Sequence, residues 1–319
     1  MLRVRSGAVF TCHGDGLCCT DLHALGPLED DETEMLGLID ERLVLSSAEG
    51  ERVIATKANG ECALLSGEGC ALHARLGPSA KPQGCRQFPF LTVATPTHRR
   101  VATVHRCPCR TMGERAPITS SDAEEICGER AERTLQSGFR VDADTVVAVE
   151  EYERLEGPLL ERILSEDPLE VLGTPAMPST ARTLAEKYAI ETGATRSERA
   201  IVHFGRALLC ELGGDPEEPS PIPWDDAFDR AEARSEPGDP EAMLRDFVAD
   251  YVWSLEHAFL GTWAETKLEL GLRIRVARRL FRKRTTAGRR ADRAMAEAIA
   301  ICELAGIAED YMPTLFGRH

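Results

Sequence analysis

The residues best equipped for chemistry in this chain are its thiols. Of 11 cysteines in 319 residues, eight fall before residue 110: Cys12, Cys18, Cys19, Cys62, Cys70, Cys85, Cys107 and Cys109. Thiolate is a soft ligand that suits zinc and iron–sulfur clusters, and four such ligands fill a tetrahedral site or hold a cubane. Here they arrive in separate groups: Cys12 with the vicinal pair Cys18-Cys19, then Cys62 and Cys70, then Cys85, then Cys107-Pro108-Cys109. The opening Met1-Leu-Arg-Val-Arg-Ser-Gly-Ala has no apolar h-region, and no 18-residue apolar run follows, so the expected location is cytoplasmic, with no membrane span. Thiols stay reduced there, and the cysteine count is odd, so metal ligation outweighs a disulfide framework. Eight thiols exceed the four ligands of a closed zinc site. Either an iron–sulfur cluster takes about four of them, or two mononuclear sites share them. The cluster is the first reading and zinc the alternative.

Short paired strands must bring these groups together. Arg52 to Leu65 reads as a hairpin around Asn59-Gly60, a pair that suits a type I′ turn, with Cys62 just past it. A second hairpin is expected from Phe90–Thr95 to Val101–His105 around Pro96-Thr97-His98, with Cys85 before it and Cys107 after it. From about residue 121 the pattern turns helical. Ser121-Asp-Ala-Glu124 is a capping-box signature opening a helix to about Gln136, and a further helix is expected over Ala143–Leu155. Thr195-Arg-Ser-Glu198 is a second capping box, leading into a helix that Gly213-Gly214 ends. Long helical patterns run from Asp239 to about Arg284 and from about Gly288 to Ala305. The expected architecture is mainly α: a cysteine-rich module with short β-hairpins over residues 1–115, then an all-helical domain over 116–319. So small a module has little core of its own, and a metal would supply much of its folding free energy.

The cysteine segments resemble the YkgJ-like (CxxCxxCC) family of zinc- or iron-chelating cysteine-cluster proteins. Its opening motif is roughly F-x-C-x-x-C-G-x-C-C, beside Phe10-Thr-Cys12-His-Gly-Asp15-Gly-Leu-Cys18-Cys19 here. Its later elements resemble Gly60-Glu-Cys62-Ala-Leu-Leu65, Cys70-Ala-Leu-His73 and Lys81-Pro82-Gln-Gly-Cys85-Arg86-Gln-Phe88-Pro89-Phe90. The match covers about residues 10–110. It implies a metal bound among Cys12, Asp15, Cys18, Cys19, Cys62, Cys70, Cys85 and Cys107. Asp15 stands where the family has its second cysteine: either it ligates, His13 substitutes, or that ligand is dispensable. The Cys70–Cys85 spacing, Leu76-Gly77 and Cys107-Pro108 are similar to one branch, the flagellin lysine-N-methylases (FliB-like), as more loosely is Leu244–Trp253. That branch implies an iron–sulfur cluster and S-adenosylmethionine-dependent methyl transfer to a lysine of a protein substrate. The residues themselves show no Gly-rich strand-to-helix nucleotide loop and no C-x-x-x-C-x-x-C triplet. The other class the thiols allow is a structural zinc or metal-chelating protein without catalysis.

Composition narrows the partners. A net charge of −15 argues against generic nucleic-acid binding, which needs a basic footprint. Ten arginines and lysines nevertheless crowd between Arg273 and Arg293, opposed only by Asp292. The first explanation is pairing with acidic helices of the same chain; an anionic ligand or acidic partner is the second. Cys127, Cys210 and Cys302 sit in apolar helical patterns and are expected to pack, as are His203, His257, Tyr251 and Trp253.

Overall fold

The computed structural model describes residues 2–14, 16–22, 26–47, 50–67, 69–128, 133–135, 138–190, 195–216 and 221–318. The protein is mainly α, with a few small sheets. The N-terminal half holds β1 (Leu2–Val4), α1 (Asp30–Ile39), β2 (Val44–Ser46), β3 (Arg52–Ile54), β4 (Leu65–Ser66), β5 (Gly69–Cys70), α2 (Ala71–Leu76), α3 (Gln83–Gln87), β6 (Phe90–Ala94), β7 (Arg99–Thr103) and α4 (Pro108–Thr111).

The second hairpin forms in the expected place: β6 and β7 pair antiparallel with Phe90 opposite Thr103 and Ala94 opposite Arg99. The first differs. A turn does close at Gly60, whose φ of 78° suits a residue without Cβ, and Thr56 bridges Cys62. The ladder of β3, however, goes to β2, with Val44 opposite Ile54. Asn59-Gly60 is a local signal for a turn; strand partners are chosen by which apolar side chains meet, and Val44-Leu45 compete for that edge.

β1 adds parallel to β7, and β8 (Arg133–Thr134) adds parallel to β6, giving the order β1-β7-β6-β8. Strand pairing thus continues past residue 115. α5 (Ser120–Cys127) packs on this sheet, burying Ala123 and Cys127 with Leu2, Phe90 and Val101. Its N-cap is Thr119, whose hydroxyl accepts from Asp122 N–H, and it stops at Gly128 rather than reaching Gln136. The pair β9 (Phe139–Arg140) and β10 (Val146–Val147) comes before α6 (Val149–Ser165), so the chain is not all helical beyond residue 116.

The remaining helices are α7 (Pro168–Val171), α8 (Ala181–Ile190), α9 (Arg196–Glu211), α10 (Asp225–Ala233), α11 (Pro240–Trp253), α12 (Glu256–Leu260), α13 (Trp263–Thr286), α14 (Ala291–Gly306) and α15 (Tyr311–Phe316). The capping box at Thr195 and Glu198 forms as its spacing predicts. The long pattern from Asp239 breaks at Leu255, in a left-handed conformation at φ 55°, and restarts at a further capping box of Thr262 and Glu265. Leu184, Phe204, Leu244, Val248, Ile274 and Ile299 belong to one large core shared by these helices.

The basic run is largely consumed inside this bundle. Arg284 and Arg293 bond Glu297, Arg293 reaches Glu232, Arg278 reaches Asp167 and Glu241, and Arg290 bonds Asp292. Buried Arg273 pairs with Glu269 and lies 4.9 Å over the Tyr251 ring. The internal explanation of that charge run therefore holds for these residues.

Candidate metal centre

Five of the expected cysteines converge. Cys18 and Cys19 lie on a 3₁₀ turn that Gly16 enters at φ 76°. Cys62 follows the Gly60 turn, and its N–H donates to the Cys19 carbonyl at 2.7 Å, tying the first cysteine group to the second. Cys70 ends β5 and starts α2; Cys85 lies within α3. α1 braces this side: its capping residue Glu32 also accepts the Gln83 N–H at 2.5 Å. Cys18, Cys19, Cys62, Cys70 and Cys85 together line one cavity of about 20 Å³, closed by Ile54, Leu64 and Leu72 with Lys81 in its wall. That volume admits one water-sized body.

The electrostatics match a cluster of close thiols. Burial first, then neighbouring Cys19 and Cys70, push the Cys62 thiol up to about 11. Burial, then Cys62 and Cys19, push Cys85 up to about 12, against the pull of Lys81. These two thiols are therefore protonated at neutral pH and must shed protons to ligate. Among the described residues, no three His, Cys, Asp or Glu side chains stand as a ready-made ligand set. The five thiols thus line one cavity without forming a ready-made ligand set. The donor type and the apolar shell fit a thiolate-held metal.

The other expected ligands lie elsewhere. Cys12 is exposed and does not line the cavity. Cys107 is buried at the start of α4 and does not line it either. Cys109 accepts the His13 N–H at 3.1 Å, so this end of the motif meets the Cys12 loop rather than the five thiols. Asp15 lies outside the described residues. His73 is exposed on α2. Of the cysteines assigned to packing, Cys127 and Cys302 are buried in cores and Cys210 is half-buried.

A second polar cluster has no counterpart in the expectations. Asp250 of α11 accepts from Arg5 Nε at 2.5 Å, Thr103 Oγ1 at 2.5 Å and Arg110 at 2.9 Å, and lies 3.0 Å from His105 Nε2. Asp246, one turn earlier, pairs with Arg5 and Arg110. Burial opposes the Asp250 charge, but Arg5, Arg110 and His105 outweigh it and hold the carboxyl well below the usual range. Burial and Arg110 hold His105 below its ordinary value, against the pull of Asp250. The network anchors β1, β7 and α4 to α11. Its one sequence signal is Asp246 and Asp250, four apart and flanking the apolar run Phe247-Val248-Ala249.

Compared with known proteins, the chain matches no family model, no curated protein and no solved structure. Among the described residues no helix is long and apolar enough to cross a membrane.

Proposed function

We propose that this protein binds a metal centre through the thiols of Cys18, Cys19, Cys62, Cys70 and Cys85, with an iron–sulfur cluster as its occupant. The observation that carries the reading is the convergence of five thiols, from three separate sequence groups, on one cavity. Soft donors in a shell of Ile54, Leu64 and Leu72 favour a thiophilic metal over a hard cation. Such a cluster, when bound, supplies one-electron redox chemistry. Lys81 stabilises thiolate at Cys85, and the apolar walls exclude water from the sulfurs.

The resemblance to the flagellin lysine-N-methylases extends the proposal to S-adenosylmethionine-dependent methylation of a protein lysine. That extension rests on the sequence motifs alone. A second reading is a structural zinc site without catalysis, favoured by the small cavity, which has room for one ion rather than a cubane.

Anaerobic purification with iron, sulfide and zinc analysis tests both. A brown protein with iron and sulfide in equal amounts, bleaching in air, is the expected result. Colourless protein with one zinc per chain replaces the first reading with the second. Protein that takes up neither metal overturns both. Equilibrium dialysis against S-adenosylmethionine tests the methylase extension, which fails if the iron-loaded protein does not bind it.

A further inference from the structure

A cavity of about 200 Å³ lies against the thiol cavity but is separate from it. The β4–β5 hairpin is their common wall: Leu65 and Gly69 face the larger cavity, while their chain neighbours Leu64 and Cys70 line the smaller one. Gly14 and Gly16 form a second wall, both at positive φ, 66° and 76°. Without side chains there, the backbone itself borders the space. α10 closes the third side with Arg230 and Arg234, and Lys57 enters from the Gly60 turn beside Glu61.

The charges are arranged unevenly. Arg230 meets Asp226 at 3.5 Å, and Lys57 meets Glu61 at the same distance. Arg234 is held differently: its guanidinium donates to the carbonyl oxygens of His13 and Gly14. Lys57 Nζ likewise donates to the Leu65 carbonyl at 2.7 Å, closer than its carboxylate neighbour. Carbonyl oxygens orient a cation without neutralising it. Among the described residues, three cations therefore border this cavity against one lining carboxylate. A concave, glycine-walled space with preoriented cations is suited to an anion.

We propose that this cavity is a binding site for a small anionic metabolite bearing a carboxylate or phosphate, held by Arg234 and Lys57 with Arg230 at its edge. Its volume lies below the roughly 300–1,000 Å³ typical of drug-sized ligands, which limits the guest to a few carbon atoms around the anionic group. The site is independent of what the thiols bind. It would place a small acid one strand away from the metal centre.

Calorimetric titration of the full chain with inorganic phosphate, and separately with succinate, at constant ionic strength tests the proposal. At least one anion should bind with one site per chain, and which one does identifies the headgroup. Arg234→Ala and Lys57→Met should each weaken binding about tenfold or more, the effect of losing a charge-assisted hydrogen bond. Lys57 is substantially exposed, so Lys57→Met tests the site even if Arg234→Ala disturbs folding. Metal content, measured on the same samples, should stay at the parent's level, which separates this site from the thiol centre. Failure of both anions to bind the parent, or unchanged affinity in both variants, overturns the proposal.

Discussion

At the residue scale, the distinction that matters is between cysteines that share the cavity and cysteines that do not. Cys85→Ser and Cys62→Ser should lose most of the bound metal, because each removes a thiol from the apolar cavity. Cys210→Ser should retain the parent's metal content, and Cys12→Ser should lose less than Cys85→Ser. Elemental analysis of the four variants checks this; equal losses in all would dissolve the assignment. The grouping of Cys18, Cys19, Cys62, Cys70 and Cys85 around one cavity follows the order of the cysteine segments along the chain. The positions of Cys12 and Cys107 were not legible in that order, since a motif records sequence order and not which of its members line the same cavity. His257 is buried, in keeping with the packing role expected for it. Its ring is packed among Phe139, Tyr152 and Trp263, and neither nitrogen makes a well-formed hydrogen bond among the described residues. Burial, then Arg100, lowers it from 6.5 to about 3, with only the Tyr251 backbone favouring the charged form. Above pH 6.5 the ring is neutral in both folded and unfolded chains. Between 6.5 and about 3 only the unfolded chain takes up the proton, so stability falls as pH falls, by about 1.4 kcal/mol per pH unit. His257→Phe should remove that part of the slope. Urea unfolding at pH 7 and pH 5 measures it, and an identical slope in parent and variant would refute the burial argument.

At the element scale, α11 and the α8–α9 contact carry the sharpest expectations. Asp250→Asn leaves Arg5 and Arg110 short of a carboxylate in a buried setting, and breaking such a network costs about 3–5 kcal/mol. The loss should appear in urea unfolding at neutral pH. Gly205 lets α9 approach α8: a Cβ there would stand 2.6 Å from the Ala189 nitrogen and 2.7 Å from the Tyr188 carbonyl carbon. Both are backbone atoms that cannot step aside. Gly205→Ala should therefore destabilise by about 1–3 kcal/mol despite the better helix propensity of alanine. A thermal midpoint equal to or above the parent's would show that the helices separate at little cost. Elements with local punctuation were legible: the Thr195 capping box and the turn before Arg99 formed as their residues indicate. Elements settled by distant contacts were not. The break at Leu255 has no glycine or proline to announce it; its buried side chain sits in the same small core as Phe139 and Tyr152, and packing there outweighs the local strain.

At the scale of the whole molecule, the thiol cavity sits on a small core of Leu28, Leu36, Ile54, Leu64 and Leu72, while the helices share a much larger one. Removing metal with a chelator should raise amide exchange through 26–86 and leave α9, α13 and α14 protected, as judged by hydrogen-exchange mass spectrometry. Uniform deprotection would mean that the two cores unfold together. The Asp246–Asp250 pair also has a consequence for biosynthesis. Arg5 and Arg110 bracket every one of the clustered cysteines and grip the same two carboxylates. A ribosome finishes the cysteine segment long before it reaches α11, so β1, β7 and α4 emerge before the carboxylates that anchor them. If the thiols hold a metal as proposed, stalled chains ending before residue 240 should carry less metal than chains released past α14, as metal analysis of purified nascent chains would measure.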